Sequence, residues 1–180
     1  MKNQNTKKLA YAALFLALCL VLPMLTGQIP QIGSMLLPMH IPVLLCGLVC
    51  GWQYGAAVGF VAPLLRSVLF GMPPMYPVAI AMAFELLTYG LVIGLVYRRM
   101  AQKGAAGVYA ALLTAMAAGR FVWGVAEVVL LGLGGKAFTA QAFLAGALLN
   151  AVPGIIVQLV LIPAVMAALQ KARAVKEYAE

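Results

Sequence analysis

Aspartate is missing from the 180 residues altogether, and the four acidic residues are all glutamates. Without aspartate there is no paired-aspartate centre, and neither H-E-x-x-H nor G-x-S-x-G occurs, so the catalytic motifs that would mark a metallohydrolase or a serine hydrolase are absent. Charge of either sign is scarce: 9% of residues are charged and 65% are apolar. Soluble domains carry about 25% charged and about 45 to 50% apolar residues. That scarcity, with a mean hydropathy of +1.04, excludes a soluble globular protein and predicts an all-α integral membrane protein. Spans of about 20 residues fill the chain and leave no room for a soluble catalytic domain. Any energy source or soluble enzyme must be another chain.

Cysteine is nearly as rare. Cys19, Cys46 and Cys50 all lie in apolar runs, where a thiol behaves as a small hydrophobe, and no disulfide framework is implied. Cys46 and Cys50 with His40 match no zinc spacing, so no metal site is expected. The net charge of +8 comes from Lys and Arg split among short inter-span segments. It reads as a topology signal and not as a nucleic-acid surface.

What is present is a succession of apolar runs. One membrane domain covers 1–180, with spans expected at 9–25, 40–51, 56–70, 78–97, 105–131 and 142–169. The first run follows a basic start but is longer than a signal-peptide core and lacks a small-residue cleavage pattern, so it is expected to stay as a span. The segment from Thr26 to Pro38 is too rich in Gly, Pro and Gln to continue a helix. Trp52 and Tyr54 mark an interfacial corner between the second and third spans. Three prolines between Pro73 and Pro77 forbid a regular hydrogen-bond ladder before the fourth.

Six spans put both termini on one side. With the amino end inside, Lys2, Lys7, Lys8, Arg98, Arg99, Lys103, Lys171, Arg173 and Lys176 are cytoplasmic and only Lys136 lies in an outer loop. Both ends are therefore expected in the cytoplasm.

Against this background the intramembrane polar residues stand out. A guanidinium at membrane depth costs at least about 2.5 kcal/mol unless it finds a partner, water or a ligand. Arg66 lies four residues before the outer end of the third span, and Glu85 about eight residues into the fourth. Arg120, Trp123 and Glu127 share one face of the fifth through their spacing of three and four. Asn150 enters from outside on the sixth, and His40, the one histidine, opens the second. All fall in the outer half, as an outward-opening pocket requires: cations for an anionic group, acids and an amide for donors, an indole for a ring face. Mutual neutralisation of the arginines by the glutamates is compatible with the same pocket. Gln158 and Pro153 read as a kink with a satisfied amide. Gly132 to Ala137 (GLGGKA) is not a phosphate loop, because Leu130 stands where its first glycine belongs and Ala137 where Ser or Thr does.

In the order of its segments the chain resembles the substrate-binding S components of energy-coupling factor (ECF) vitamin transporters. The likeness rests on the basic start running into KKLAYAALFLALCL, with small residues at Ala13 and Ala17, on the loop after the first span, on the block HIPVLLCGLVCGWQYGAAVGF from His40 to Phe60, and on six spans in this length. The resemblance implies a multi-pass protein of a prokaryotic plasma membrane that captures a vitamin or precursor from outside with high affinity. It would partner a coupling transmembrane subunit and two cytoplasmic ATPases that use the ATP, hold no cofactor itself, and bind no nucleic acid. Ala13 and Ala17 would face the coupling subunit, and Gln28 to Pro38 would form a lid. Arg66, Glu85, Arg120, Trp123, Glu127, Asn150 and His40 form the candidate substrate-binding set, and two arginines favour an anionic ligand.

Two other readings are open from the residues alone. A secondary carrier would move protons through Glu85 and Glu127 and act without partners. A membrane enzyme or scaffold would use Glu85, Glu127 and His40 as acid–base groups, though no nucleophile accompanies them.

Overall fold

The computed structural model describes residues 2–25, 35–100, 103–135, 139 and 151–172. Its helices are α1 (Lys2–Leu25), α2 (His40–Cys50), α3 (Trp52–Phe70), α4 (Ile80–Met100), α5 (Ala105–Leu133) and α6 (Val152–Lys171), and the described residues contain no strand. Among the described residues five helices are long and apolar enough to cross a membrane, α4 together with the turn that leads into it; α2, at 11 residues, is shorter. The protein is therefore a multi-pass membrane protein.

Local sequence sets the corners. Gly51, at φ 97°, reverses the chain between α2 and α3 in a backbone conformation that side chains disfavour. Before α4 the prolines replace the α-helical ladder by a π-helical turn over Met75–Ala79, in which Tyr76 is extended. The Tyr76 hydroxyl donates to the carbonyl of Leu130 and ties this turn to α5.

The bundle is built around α4. Half of its most apolar window is buried (50%), against 22% for each of α1, α5 and α6, and it packs along its length against both α3 and α5. Small residues permit the closest of these approaches. A Cβ on Gly90 of α4 would stand 2.1 Å from the backbone of Gly55 on α3, and one on Gly55 would stand 2.7 Å from Gly47 of α2, so three helices meet backbone to backbone. The outward faces are apolar: Val68, Phe121, Val160 and Leu133 are among the most exposed side chains. That is the inverse of a water-soluble surface and suits lipid.

Basic residues gather at one end. Lys8 and Arg98 line a common cavity there, and Gln170 of α6 donates through Nε2 to the Tyr97 hydroxyl of α4 at 3.2 Å. At the opposite end α1 terminates, α2 begins and the Met75–Ala79 turn lies.

Candidate functional site

Glu85 is the centre of the polar residues toward the second end. It sits on the buried stripe of α4 with Ala81, Leu86 and Tyr89 and is 1% exposed. Arg120 of α5 reaches it with Nη1 at 3.0 Å from Oε1, and His40, the first residue of α2, brings Nε2 to 3.5 Å from the same oxygen. Three helices thus converge on one carboxylate. Tyr89 lies one turn along α4 on the same buried stripe, and its ring meets His40 edge-on at a centroid distance of 5.2 Å.

A glycine makes room for this arrangement. A Cβ on Gly119 would lie 2.2 Å from the Tyr89 ring, so the residue before Arg120 has to be small for α5 to approach α4 at that level. The constraint places Arg120 beside Glu85.

The cluster is incompletely paired among the described residues. Arg120 Nη1 is ion-paired with Glu85 Oε1, but that oxygen, both ring nitrogens of His40, and Nε and Nη2 of Arg120 are buried without hydrogen-bond partners. Nε and Nη2 form the side edge of the guanidinium, the fork that accepts two oxygens of a carboxylate or phosphate. Leaving such donors buried and unpaired costs about 1 to 3 kcal/mol each, so the site favours a partner of opposite polarity.

Gln158 belongs to the same level. Gly154 of α6 packs on the backbone of Met35 and Leu36, a few residues before His40, while Gln170 meets Tyr97; α6 therefore runs in the same direction as α4. Gln158 precedes Gln170 by as many residues as Glu85 precedes Tyr97, about 18 Å in each helix, which puts both at one depth. Gln158 is 1% exposed and its Nε2 has no partner among the described residues. Its amide is thus unsatisfied there, contrary to the sequence expectation, and Pro153 opens the first turn of α6 instead of kinking it.

The remaining candidates are distributed as follows. Glu127 is buried two turns beyond Arg120 on the same stripe of α5, and Trp123 lies half-buried between them. Arg66, 2% exposed on α3, is engaged elsewhere: Nη1 donates to the carbonyl of Leu20 on α1 and the guanidinium lies 5.3 Å from the centroid of the Phe70 ring. Pro23 removes the helix donor to the neighbouring Cys19 carbonyl, so the ladder of α1 is already interrupted beside the accepting Leu20 carbonyl. Asn150 and residues 28–34 of the segment expected to form a lid lie outside the described residues; Met35 and Leu36 at the end of that segment cover the start of α6. Ala13 and Ala17 are exposed on α1, on the face opposite buried Ala12, Phe15 and Cys19. No three His, Cys, Asp or Glu residues among those described are placed to hold a metal ion.

Sequence reasoning missed Tyr89 and Gly119. Tyr89 is one turn from Glu85 on a helix whose acid had already been singled out, a spacing of four that could have flagged it. Gly119 carried no signal beyond its place next to Arg120.

Compared with known proteins, residues 7–166 match the family described as ECF transporter, substrate-specific component. No curated protein and no solved structure matches the chain.

Proposed function

We propose that this chain, which belongs to the family of substrate-specific components of ECF transporters, captures a small carboxylate-bearing nutrient, a vitamin or its precursor, at the end of the bundle remote from its basic rim. Membership makes it a substrate-binding transport subunit and not itself an ATPase, one that works with ECF transmembrane and ATPase subunits. The observation that carries the ligand class is the buried, unpartnered Nε–Nη2 edge of Arg120. A bidentate carboxylate satisfies both donors at once, and Glu85, already bound to Nη1, fixes the fork so that little conformational freedom is lost on binding.

Around that anchor, Gln158 at the same depth supplies a second donor, Trp123 a ring face and Glu127 a polar contact nearer the mouth, with Asn150 a further polar contact. The segment from Gln28 to Pro38 closes over the ligand. The basic rim faces the cytoplasm of a prokaryotic cell, with both termini there, and the site opens outward. Ala13 and Ala17, small and exposed on α1, form the face on which the coupling subunit docks. ATP is consumed by the partner ATPases, and the chain needs no cofactor.

Equilibrium binding in detergent, with no ATP present, tests the ligand class. Arg120→Met is expected to weaken capture of a carboxylate ligand at least about a hundredfold, the consequence of losing a buried charge-assisted fork worth roughly 3 kcal/mol. Unchanged affinity contradicts it. Uptake by liposomes containing this chain alone, driven by a pH gradient, overturns the assignment in favour of a proton-coupled carrier.

A further inference from the structure

A second polar site lies at the opposite end of the bundle, where a cavity of about 290 Å³ opens between α1, α2, α3 and α4. Two cations from different helices line it, Lys8 of α1 and Arg98 of α4, together with Gln53 and Trp52 of α3 and the buried Tyr97. From this geometry we infer that the cavity binds a phosphate-bearing anion, and that its occupant is the phosphodiester headgroup of an anionic membrane phospholipid.

Several features converge on this ligand. The cavity volume is near the lower end of the range for small-molecule sites, roughly 300 Å³, and suits a headgroup. Its long basic side chains are partly or fully exposed, so they can close on an anion at the membrane surface. Among the described residues no acidic side chain lines the cavity, so both cations act in the same sense on whatever enters. The start of α3 adds to the field: Gly51 offers no side chain to cap the helix, and its first amides face this end. Gly94 of α4 keeps that helix start close, since a Cβ there would stand 2.5 Å from the backbone nitrogen of Trp52.

Membrane position selects the source of the phosphate. Trp52 and Tyr97 are of the types that settle at the headgroup level, and basic pockets between membrane helices at that level suit anionic lipid headgroups. A bound headgroup bridges Lys8 and Arg98 and joins the start of α1 to the end of α4. The site is independent of the Arg120 cluster, which lies toward the other end of α4, and of the ligand assigned there.

Native mass spectrometry of the detergent-solubilised full chain, titrated with phosphatidylglycerol or phosphatidylcholine, provides the test. Phosphatidylglycerol is expected to be retained and phosphatidylcholine stripped. Lys8→Gln and Arg98→Gln should each lower phosphatidylglycerol affinity about fivefold and together about thirtyfold, while Arg99→Gln, beside Arg98 but outside the cavity, leaves it within about twofold. Circular dichroism melts of the same variants confirm that each is folded. If millimolar inorganic phosphate alone raises the melting temperature and displaces the lipid, the anion site stands and the lipid assignment falls. Equal retention of the two lipids, or an Arg99→Gln loss matching that of Arg98→Gln, overturns the proposal. So does binding that appears only when an acidic segment of a partner subunit is supplied.

Discussion

Arg120 Nη1 and Glu85 Oε1 lie 3.0 Å apart between α5 and α4, and the glutamate has only 2% of its side chain exposed. An ion pair so placed holds two helices in register, yet it leaves Glu85 Oε1 without a hydrogen bond and the side edge of the guanidinium open. Stability and ligand capture therefore share this residue and can be separated by choice of substitution.

Breaking the pair from one side strands a buried charge. Arg120→Met is expected to destabilise the protein by about 3 to 5 kcal/mol, read as a lower detergent denaturation midpoint. Adding Glu85→Gln should recover most of that loss without restoring ligand affinity. Recovery of binding in the double variant would show that Arg120 acts only through its pairing with Glu85.

Arg66 behaves differently, because its guanidinium is spent on the Leu20 carbonyl and the Phe70 ring. Arg66→Ala leaves that carbonyl without this donor and is expected to cost about 1 to 3 kcal/mol of stability, with ligand affinity changed by less than about threefold. A hundredfold loss of affinity with an unchanged denaturation midpoint would place Arg66 in contact with substrate.

Gly119→Ala puts a methyl group into the Tyr89 ring. We expect about 1 to 3 kcal/mol of destabilisation from this overpacking and a weakened ligand site, because α5 has to move away from Glu85. Combining it with Tyr89→Leu should relieve part of the strain. Equal stability of Gly119→Ala and wild type would mean that the ring shifts freely.

These relationships mark what the sequence could reveal. The helical runs follow from hydropathy and breakers, and the common stripe of Arg120, Trp123 and Glu127 follows from their spacing within one helix. Contacts between helices are another matter. That Arg120 faces Glu85 while Arg66 turns to α1 depends on how each helix is rotated, and this is set by backbone approaches at Gly47, Gly55 and Gly90; the four-residue spacings Gly55–Gly59 and Gly90–Gly94 signal close packing but not which helix is approached. The partner of Arg66 is a backbone carbonyl, which no side-chain pattern can announce. Gln158 read as a satisfied amide because its surroundings belong to other helices.

The outward alanines of α1 give a prediction about assembly. Ala13→Phe and Ala17→Phe, singly, should reduce recovery of the coupling subunit in a pull-down at least about tenfold, while ligand binding by the isolated chain stays within about twofold, since neither residue touches the buried core. Undiminished recovery would move the docking face off this side of α1.

Mass spectrometry of the small molecule that co-purifies with the chain bears most directly on the central claim. A carboxylate-bearing compound, near one per chain in the wild type and lost from Arg120→Met, is the predicted result. A neutral or cationic compound, or occupancy unaffected by Arg120→Met, would contradict it.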